Sequence, residues 1–242
     1  MGFEPFIHFM REMHGKLNAS IFGGAQGMSS QQIAYLRQLQ RELDVERSLN
    51  VPLCELDVVV LDLETTGFFP DKGDEILSIG AVKVEKGEMI EVKSFYSLVQ
   101  YEGTLKKEVK EITGINEEMV NNAPSLSHVL IDFFSFAGDM PIVAHHANHE
   151  KNFLQHASWK LFRAPLKHRI IDTSFLYRIA DEKDDNKPLE EWCLDNNIAV
   201  ENRHHALGDA KLTAKLWCTY VEKVQKSGCE TLRDIYERIA AK

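Results

Sequence analysis

The most constraining feature of the sequence is an apolar run, Val58–Leu61, that continues directly into two carboxylates. Four aliphatic residues in succession are typical of a buried strand. Asp62 and Glu64 follow two positions apart, so on a strand both side chains point to the same face. Like charges at that separation repel, and a hard divalent cation with oxygen ligands is the simplest partner for them. The stretch predicts a metal site or, alternatively, only the solvated end of a strand.

Two further clusters of acidic residues and histidines lie at predicted strand ends and helix starts. Glu150 belongs to the first, and His204 and Asp209 belong to the second. A carboxylate also stabilises a helix N-terminus, so Glu150 and Asp209 each have a structural explanation as well. Because an α/β sheet gathers its functional site at such ends, we expect the clusters to converge. Four carboxylates in one place, Asp62 and Glu64 included, would form a cradle for two Mg²⁺ or Mn²⁺ ions.

The order of the predicted elements indicates an α/β fold. Residues 75–84 and 89–99 read as two strands joined by a hairpin turn at Lys86-Gly87. Two later apolar strands, at 141–144 and 170–171, are each reached through a helix. A hairpin implies antiparallel pairing, whereas strands joined through helices imply a parallel part. Asp172, directly after the last strand, is expected to cap the following helix.

The N-terminal region differs from the rest of the chain. Residues 1–50 carry two amphipathic helical patterns, separated by a glycine-rich break, and Pro52 marks the junction with a main domain over residues 51–242. The apolar faces of these helices must be buried. They either pack against the main domain or form a docking arm, which would make a homodimer through this extension possible.

Composition narrows the class of protein further. The 242 residues, 44% of them hydrophobic, suit one domain of ordinary size with an appendage. The formal net charge of −9 does not favour nucleic-acid binding, which needs lysine and arginine, unless these residues cluster locally. The four cysteines form no C-x-x-C pair, so we expect free thiols in a cytoplasmic protein. The sequence contains no run of about 18 apolar residues, so it does not predict a membrane span.

The three clusters resemble the exonuclease motifs of the DnaQ-like (DEDDh) 3′→5′ exonucleases, which have a ribonuclease H-like fold. Asp62-Leu63-Glu64-Thr65-Thr66-Gly67 resembles the first motif and His204-x-Ala-Leu-x-Asp209 the third. The resemblance covers roughly residues 55–222. It implies a mixed sheet of three antiparallel strands and then parallel strands, flanked by helices. It also implies hydrolysis with two metal ions at a 3′ end of single-stranded DNA or RNA.

The resemblance further implies a role for each motif residue. Asp62 would bridge two Mg²⁺ or Mn²⁺ ions, Glu64 and Asp209 would hold the first, and Glu150 would support the second. His204 would be the general base, since the ordinary pKa of histidine lies near 6.5. The substrate-binding residues implied for the terminal nucleotide are Thr65, Thr66, Phe68 and His145.

The second motif departs from the family pattern. Glu150 stands where the family has Asp, His146 where Asn is usual, and His149 where an aromatic residue is usual. Glutamate keeps the charge but reaches farther by roughly 1.5 Å, one C–C bond. We expect activity to be retained, with an altered rate or metal preference.

Two other functions remain open from the sequence. The chain would be a catalytically weak nucleic-acid-binding or polymerase-associated module if Glu150 in place of Asp impairs catalysis at the site. A phosphodiesterase that acts on a small substrate would use the same metal chemistry. No polymerase segment is recognised in the chain, so any DNA polymerase partner would be a separate protein.

Overall fold

A computed structural model describes residues 46–181 and 187–241, together with Ala34 alone. The helices predicted within residues 1–50 lie mostly outside the described residues, so the extension and its boundary stay predictions. The part of that region that is described contains a 3-10 helix, Arg47–Leu49, and Leu49 packs against the core of the main domain.

The described strands form one mixed sheet in the order β3-β2-β1-β4-β5. Strands β1, β2 and β3 pair antiparallel, whereas β4 runs parallel to β1 and β5 runs parallel to β4. This confirms the predicted α/β arrangement of a ribonuclease H-like sheet. The strands are β1 (Val58–Thr65), β2 (Ile76–Glu85), β3 (Glu88–Leu98), β4 (Ile142–Ala144) and β5 (Ile170–Asp172).

Helices flank the sheet, and the turn residues lie where the sequence predicted them. Lys86 and Gly87, which join β2 to β3, both have positive φ angles, of 51° and 78°. Gly114, at φ 70°, ends the first α-helix. The described helices are α1 (Lys107–Thr113), α2 (Glu117–Asn121), α3 (Leu126–Ala137), α4 (Asn148–Phe162), α5 (Ser174–Ala180), α6 (Leu189–Asp195), α7 (Ala206–Lys226) and α8 (Leu232–Ala240), with a further 3-10 helix at Pro70–Lys72.

Strand β1 is apolar throughout its first half because both faces of the sheet are covered. Val58 and Val60 belong to a core cluster with α5, α6, α7 and α8. Val59 and Leu61 belong to the cluster on the other face, with α3 and α4. Since successive side chains alternate, the even-numbered Asp62 lies on the face that α7 covers. No described helix is both long and apolar enough to cross a membrane.

Candidate active site

Three of the predicted carboxylates meet at the end of β1. One carboxylate oxygen from each of Asp62, Glu64 and Asp209 lies within 4.8 Å of the others. Asp62 and Glu64 are half-buried, whereas Asp209, in the first turn of α7, is 4% exposed. Two side chains from a strand and one from a helix that crosses it therefore converge, although 145 positions separate Glu64 from Asp209 along the chain.

A glycine in β2 makes this convergence possible. Gly80 pairs with Asp62 in the antiparallel register of β1 and β2. A Cβ atom at Gly80 would lie 2.5 Å from the carbonyl oxygen of Ala206 and closer still to the adjoining peptide carbon and nitrogen. The backbone at the start of α7 thus rests directly on the sheet, which only glycine allows. Gly80 sets how near Asp209 comes to Asp62.

The loop before α7 fixes the orientation of Asp209. Oδ2 of Asp209 accepts a hydrogen bond from Nη1 of Arg203 and another, of 3.1 Å, from the backbone N–H of His204. Arg203 also donates from Nε and Nη2 to Oε2 of Glu190, at 3.1 and 2.8 Å. His204 has a positive φ of 58° and an exposed side chain. The backbone of His204 therefore holds Asp209, while the imidazole of the same residue is exposed.

Glu150 approaches the site from the other side of β1. It lies in the first turn of α4 and is 4% exposed. Asp172 fixes the start of α4, because its Oδ2 accepts from the N–H of Ala147 at 3.0 Å. Its Oδ1 accepts from the N–H of Ser174, the first residue of α5, at 2.8 Å, although the N-cap residue of that helix is Thr173 rather than the predicted Asp172. Glu150 is outside the group whose oxygens lie within 4.8 Å of one another, but its charge raises the pKa of Asp62, and the charge of Glu64 raises the pKa of Glu150.

Two buried carboxylate oxygens lack a hydrogen-bond donor within the described part of the chain. They are Oε2 of Glu150 and Oδ1 of Asp209. A buried acceptor without a donor is costly, and a carboxylate more so than a neutral group. Oxygen ligands of this kind suit Mg²⁺, Mn²⁺ or Ca²⁺, so the side chains present fit a divalent cation.

Burial and mutual proximity raise the pKa values of these acids. Burial raises the pKa of Asp62 well above its ordinary range, and the charges of Glu150 and Asp209 raise it further. Burial, with the charge of Asp209, raises the pKa of Glu64 to about 7. Burial also raises the pKa of Glu150 to about 8. The Arg203 guanidinium opposes the shifts of Asp62 and Glu64, but it does not cancel them. Such shifts in acidic clusters are common at functional sites.

The mouth of the site is formed by the loop after β1 and the start of α4. Nε2 of His149 lies 3.3 Å from Oγ1 of Thr65, and the His149 ring meets the ring of Phe68 edge-on at 5.8 Å. Phe68 is 76% exposed. Thr66 instead braces the loop, since its Oγ1 accepts from the N–H of Glu75 at 2.9 Å. Thr65 and Phe68, both predicted to bind substrate, thus lie together, with His149 beside them.

His145 lies apart from that mouth. Its Nδ1 is 3.3 Å from Oγ1 of Thr173 and 3.4 Å from the hydroxyl of Tyr177, on the face of the sheet covered by α5. Burial, and next the neighbouring His146, lowers the pKa of His145 to about 3, so the ring is neutral. These contacts favour a packing role for His145, and contact with substrate stays a prediction.

Comparison with known proteins decides the family. The RNase_T family model, described as "Exonuclease", matches residues 59–217, the stretch that carries all three clusters. The chain belongs to this exonuclease family. The DnaQ-like resemblance read from the motifs is thereby confirmed.

Members of the exonuclease family that resemble the chain include parts of much larger proteins. The chain is 34% identical over 182 residues to "DNA polymerase III PolC-type" of Thermotoga maritima, and the match covers 73% of this chain and 13% of that protein. It is 31% identical over 177 residues to "3'-5' exonuclease DinG" of Staphylococcus epidermidis, covering 73% of this chain and 19% of that protein. The chain therefore spans under a fifth of the length of these two relatives.

Solved structures agree with the fold. The nuclease domain of 3'hExo, a DEDDh family member bound to rAMP, superposes with a TM-score of 0.61 at 20% identity, over 72% of this chain and 94% of that one. Exonuclease X, in complex with 5′ overhanging duplex DNA, gives 0.56 at 22% identity, over 74% and 98%. At these identities the likeness establishes the architecture alone.

Proposed function

We propose that this exonuclease-family chain is a divalent-metal-dependent 3′→5′ exonuclease that releases nucleoside 5′-monophosphates from single-stranded DNA or RNA ends. One observation carries the proposal. One carboxylate oxygen from each of Asp62, Glu64 and Asp209 lies within 4.8 Å of the others, and Oδ1 of Asp209 and Oε2 of Glu150 are buried with no donor among the described residues.

Each acidic residue would bind one or both metal ions, as the family motifs imply. Asp62 would bridge two Mg²⁺ or Mn²⁺ ions, Glu64 and Asp209 would hold one, and Glu150 would support the other. When bound, such a pair of ions stabilises the attacking and the leaving oxygen of a phosphodiester in hydrolysis.

His204 would act as the general base. Its exposed ring is attached to the loop whose backbone holds Asp209, so it can reach a water molecule beside the carboxylates. His204 would take one proton from that water as its oxygen bonds to phosphorus. The bond from phosphorus to the 3′ oxygen of the preceding nucleotide then breaks, and solvent protonates that oxygen.

The terminal nucleotide would be held at the mouth. The exposed ring of Phe68 offers a stacking surface for a base, and His149, edge-on to it, forms an adjoining wall. Thr65, with Oγ1 3.3 Å from His149 Nε2, would contribute a polar contact. The structural neighbours 3'hExo, bound to rAMP, and E. coli exonuclease I, in complex with a dT13 oligonucleotide, have ligands that support this class of substrate.

Digestion of matched DNA and RNA oligonucleotides, labelled at the 5′ end and blocked in turn at each end, tests the proposal. A ladder that shortens from the 3′ end, needs Mg²⁺ or Mn²⁺ and disappears in Asp62→Asn is the expected result. Shortening from the 5′ end, or equal activity of Asp62→Asn and the wild type, would refute it.

A second candidate follows from the altered second motif and from the PolC-type relatives. The chain would then be a weakly active module that binds a nucleic-acid end for a separate DNA polymerase. Such a module would bind a labelled primer end with metal present but release no mononucleotide, whereas the proposed enzyme does both.

A further inference from the structure

An open groove of about 680 Å³ lies next to the mouth of the site. The loop after β1, from Phe68 to Lys72, forms one wall, and the exposed face of α4 forms the other. Phe68 belongs to both the mouth and the groove, so the two are continuous. None of the catalytic residues proposed above lines the groove.

Exposed aromatic side chains are concentrated in this groove. Phe68 is 76% exposed, Phe69 56% and Trp159 57%. The fourth exposed aromatic side chain among the described residues, Tyr96, is outside the groove and stacks on His205. Large aromatic rings left in water mark an interaction site rather than a stable surface.

The groove is also locally basic in an acidic protein. Lys72, Lys160 and Arg163 line it, against one acidic lining residue, Asp71, although the chain as a whole carries −9. Lys160 is paired with Glu75 at 3.5 Å, so Lys72 and Arg163 are the cations expected to contact a ligand. Lys72 lies 4.4 Å above the centre of the Phe69 ring. Asp71 is engaged by His156 at 3.1 Å. Cations interleaved with aromatic rings match a ligand that has both phosphates and bases.

The spacing on α4 gives this surface a direction. Asn152, His156 and Trp159 recur at intervals of four and three residues, so they lie along one face of the helix, and Arg163, directly after the end of the helix, also lines the groove. The first turn of the same helix carries Glu150. The face therefore begins in the helical turn next to Glu150 and runs along the helix for about 10 Å from Asn152 to Trp159, at 1.5 Å per residue.

We infer that the groove between Phe69 and Trp159 binds the single-stranded nucleic acid upstream of the scissile nucleotide. The inference rests on the proposed function, which it deepens by adding a second binding region. The bases of the strand stack on Phe69 and Trp159, and Lys72 and Arg163 contact its phosphates. Short substrates that end at Phe68 do not reach this region, so affinity depends on length.

Tryptophan fluorescence provides a direct test. Trp192 and Trp217 are each 1% exposed, so Trp159 is the tryptophan that a base can reach. The wild type is titrated in Mg²⁺ with a phosphorothioate-linked oligonucleotide of about twelve thymidines or uridines, a length within single-strand site sizes. Saturable quenching by either oligonucleotide, absent with a dithymidine and absent in Trp159→Phe, is expected. A difference in affinity between the thymidine and the uridine oligonucleotide shows whether the groove prefers DNA or RNA.

Kinetics provide the second arm. Trp159→Ala and Lys72→Glu should each raise KM for the long oligonucleotide about tenfold, the size of one lost base stack or phosphate contact. The rate on a dithymidine should change less than twofold. Val92→Ala, at an exposed apolar site on β3, and Lys226→Glu, at the far end of α7, are matched controls and should behave as the wild type.

The possible outcomes distinguish failure of the groove inference from failure of the proposed function. Absence of quenching, equal losses on long and short substrates, or equal effects of the groove and control variants would overturn the inference. A wild type that releases no nucleotide from any substrate refutes the proposed function, while the quenching titration still decides the groove. Unchanged oligonucleotide kinetics with loss of a protein contact in Trp159→Ala would show a protein-docking surface instead.

Discussion

Gly80→Ala tests whether close approach of α7 to the sheet assembles the site. The new Cβ would stand 2.5 Å from the oxygen of Ala206 and closer still to the carbonyl carbon of Ala206 and the backbone nitrogen of Leu207, and ordinary contact begins at 3.4 Å, so the start of α7 must retreat by more than about 1 Å. Asp209 lies in that first turn and would move away from Asp62. A misplacement of about 1 Å costs on the order of 100-fold in rate. Overpacking of this kind also costs about 1–3 kcal/mol of stability.

The assay measures two quantities on the same protein. The first is metal-dependent nucleotide release from a 3′-labelled oligonucleotide, expected to fall about 100-fold. The second is the rise in melting temperature on addition of Mn²⁺, expected to shrink because the ligand set of Asp62, Glu64 and Asp209 is spread apart. In EDTA, the melting temperature of Gly80→Ala should fall by about 2–4 °C for each kcal/mol of lost stability.

Val82→Ala is the matched control, because it perturbs the same strand without pushing α7 outward. Val82 is fully buried in the same cluster as Leu212 and Leu216 of α7, and its truncation destabilises by leaving a cavity. The control should lose stability but keep the Mn²⁺ response and most of the rate. A folded Gly80→Ala protein with wild-type rate and Mn²⁺ response would refute the reasoning.

Three further predictions concern the acidic cluster and the base. Glu150→Asp should keep most of the activity and Glu150→Ala should abolish or cripple it; an Ala variant as active as the wild type removes Glu150 from the site. His204→Gln should lower kcat by about 10²–10⁴-fold with an unchanged Mn²⁺-induced rise in melting temperature, and an unaltered kcat excludes His204 as the base. In EDTA, stability should fall as the pH rises from about 4.5 to 8, because the folded state keeps protons on Glu64 and Glu150, whose pKa values are raised to about 7 and about 8, after the unfolded chain has released them. Melting temperatures in EDTA that rise across that interval would contradict it.

Local sequence signals were sufficient for the elements that carry the site. The apolar run before Asp62 predicted a buried strand, and the structure shows why it is continuous, since α7 covers one face and α4 the other. Lys86-Gly87 predicted the hairpin, and both residues have the positive φ angles that such a turn needs. Spacing of two along a strand also predicted that Asp62 and Glu64 share a face.

The parts of the site that sequence reasoning missed depend on contacts between distant segments. Gly80 carried a signal, since a glycine inside a strand pattern often marks a close backbone approach, but its neighbour Ala206 lies 126 positions away. Arg203 directly precedes His204, yet nothing local shows that it bridges Asp209 and Glu190. Loops that bring ion pairs together are fixed by tertiary packing rather than by spacing along the chain.

Two of the departures in the second motif, His149 and Glu150, lie in the first turn of α4. Glu150 is at the start of α4, outside the group that Asp62 completes with Glu64 and Asp209. That group owes its geometry to β1, Gly80 and α7, none of which the second motif alters. Under the roles proposed above, a longer acid at Glu150 would affect the second ion rather than the first, and His149 would affect the wall facing the terminal base. Neither binding of the first ion nor stacking on Phe68 would then require the altered residues, so we expect an altered rate or metal preference with activity retained.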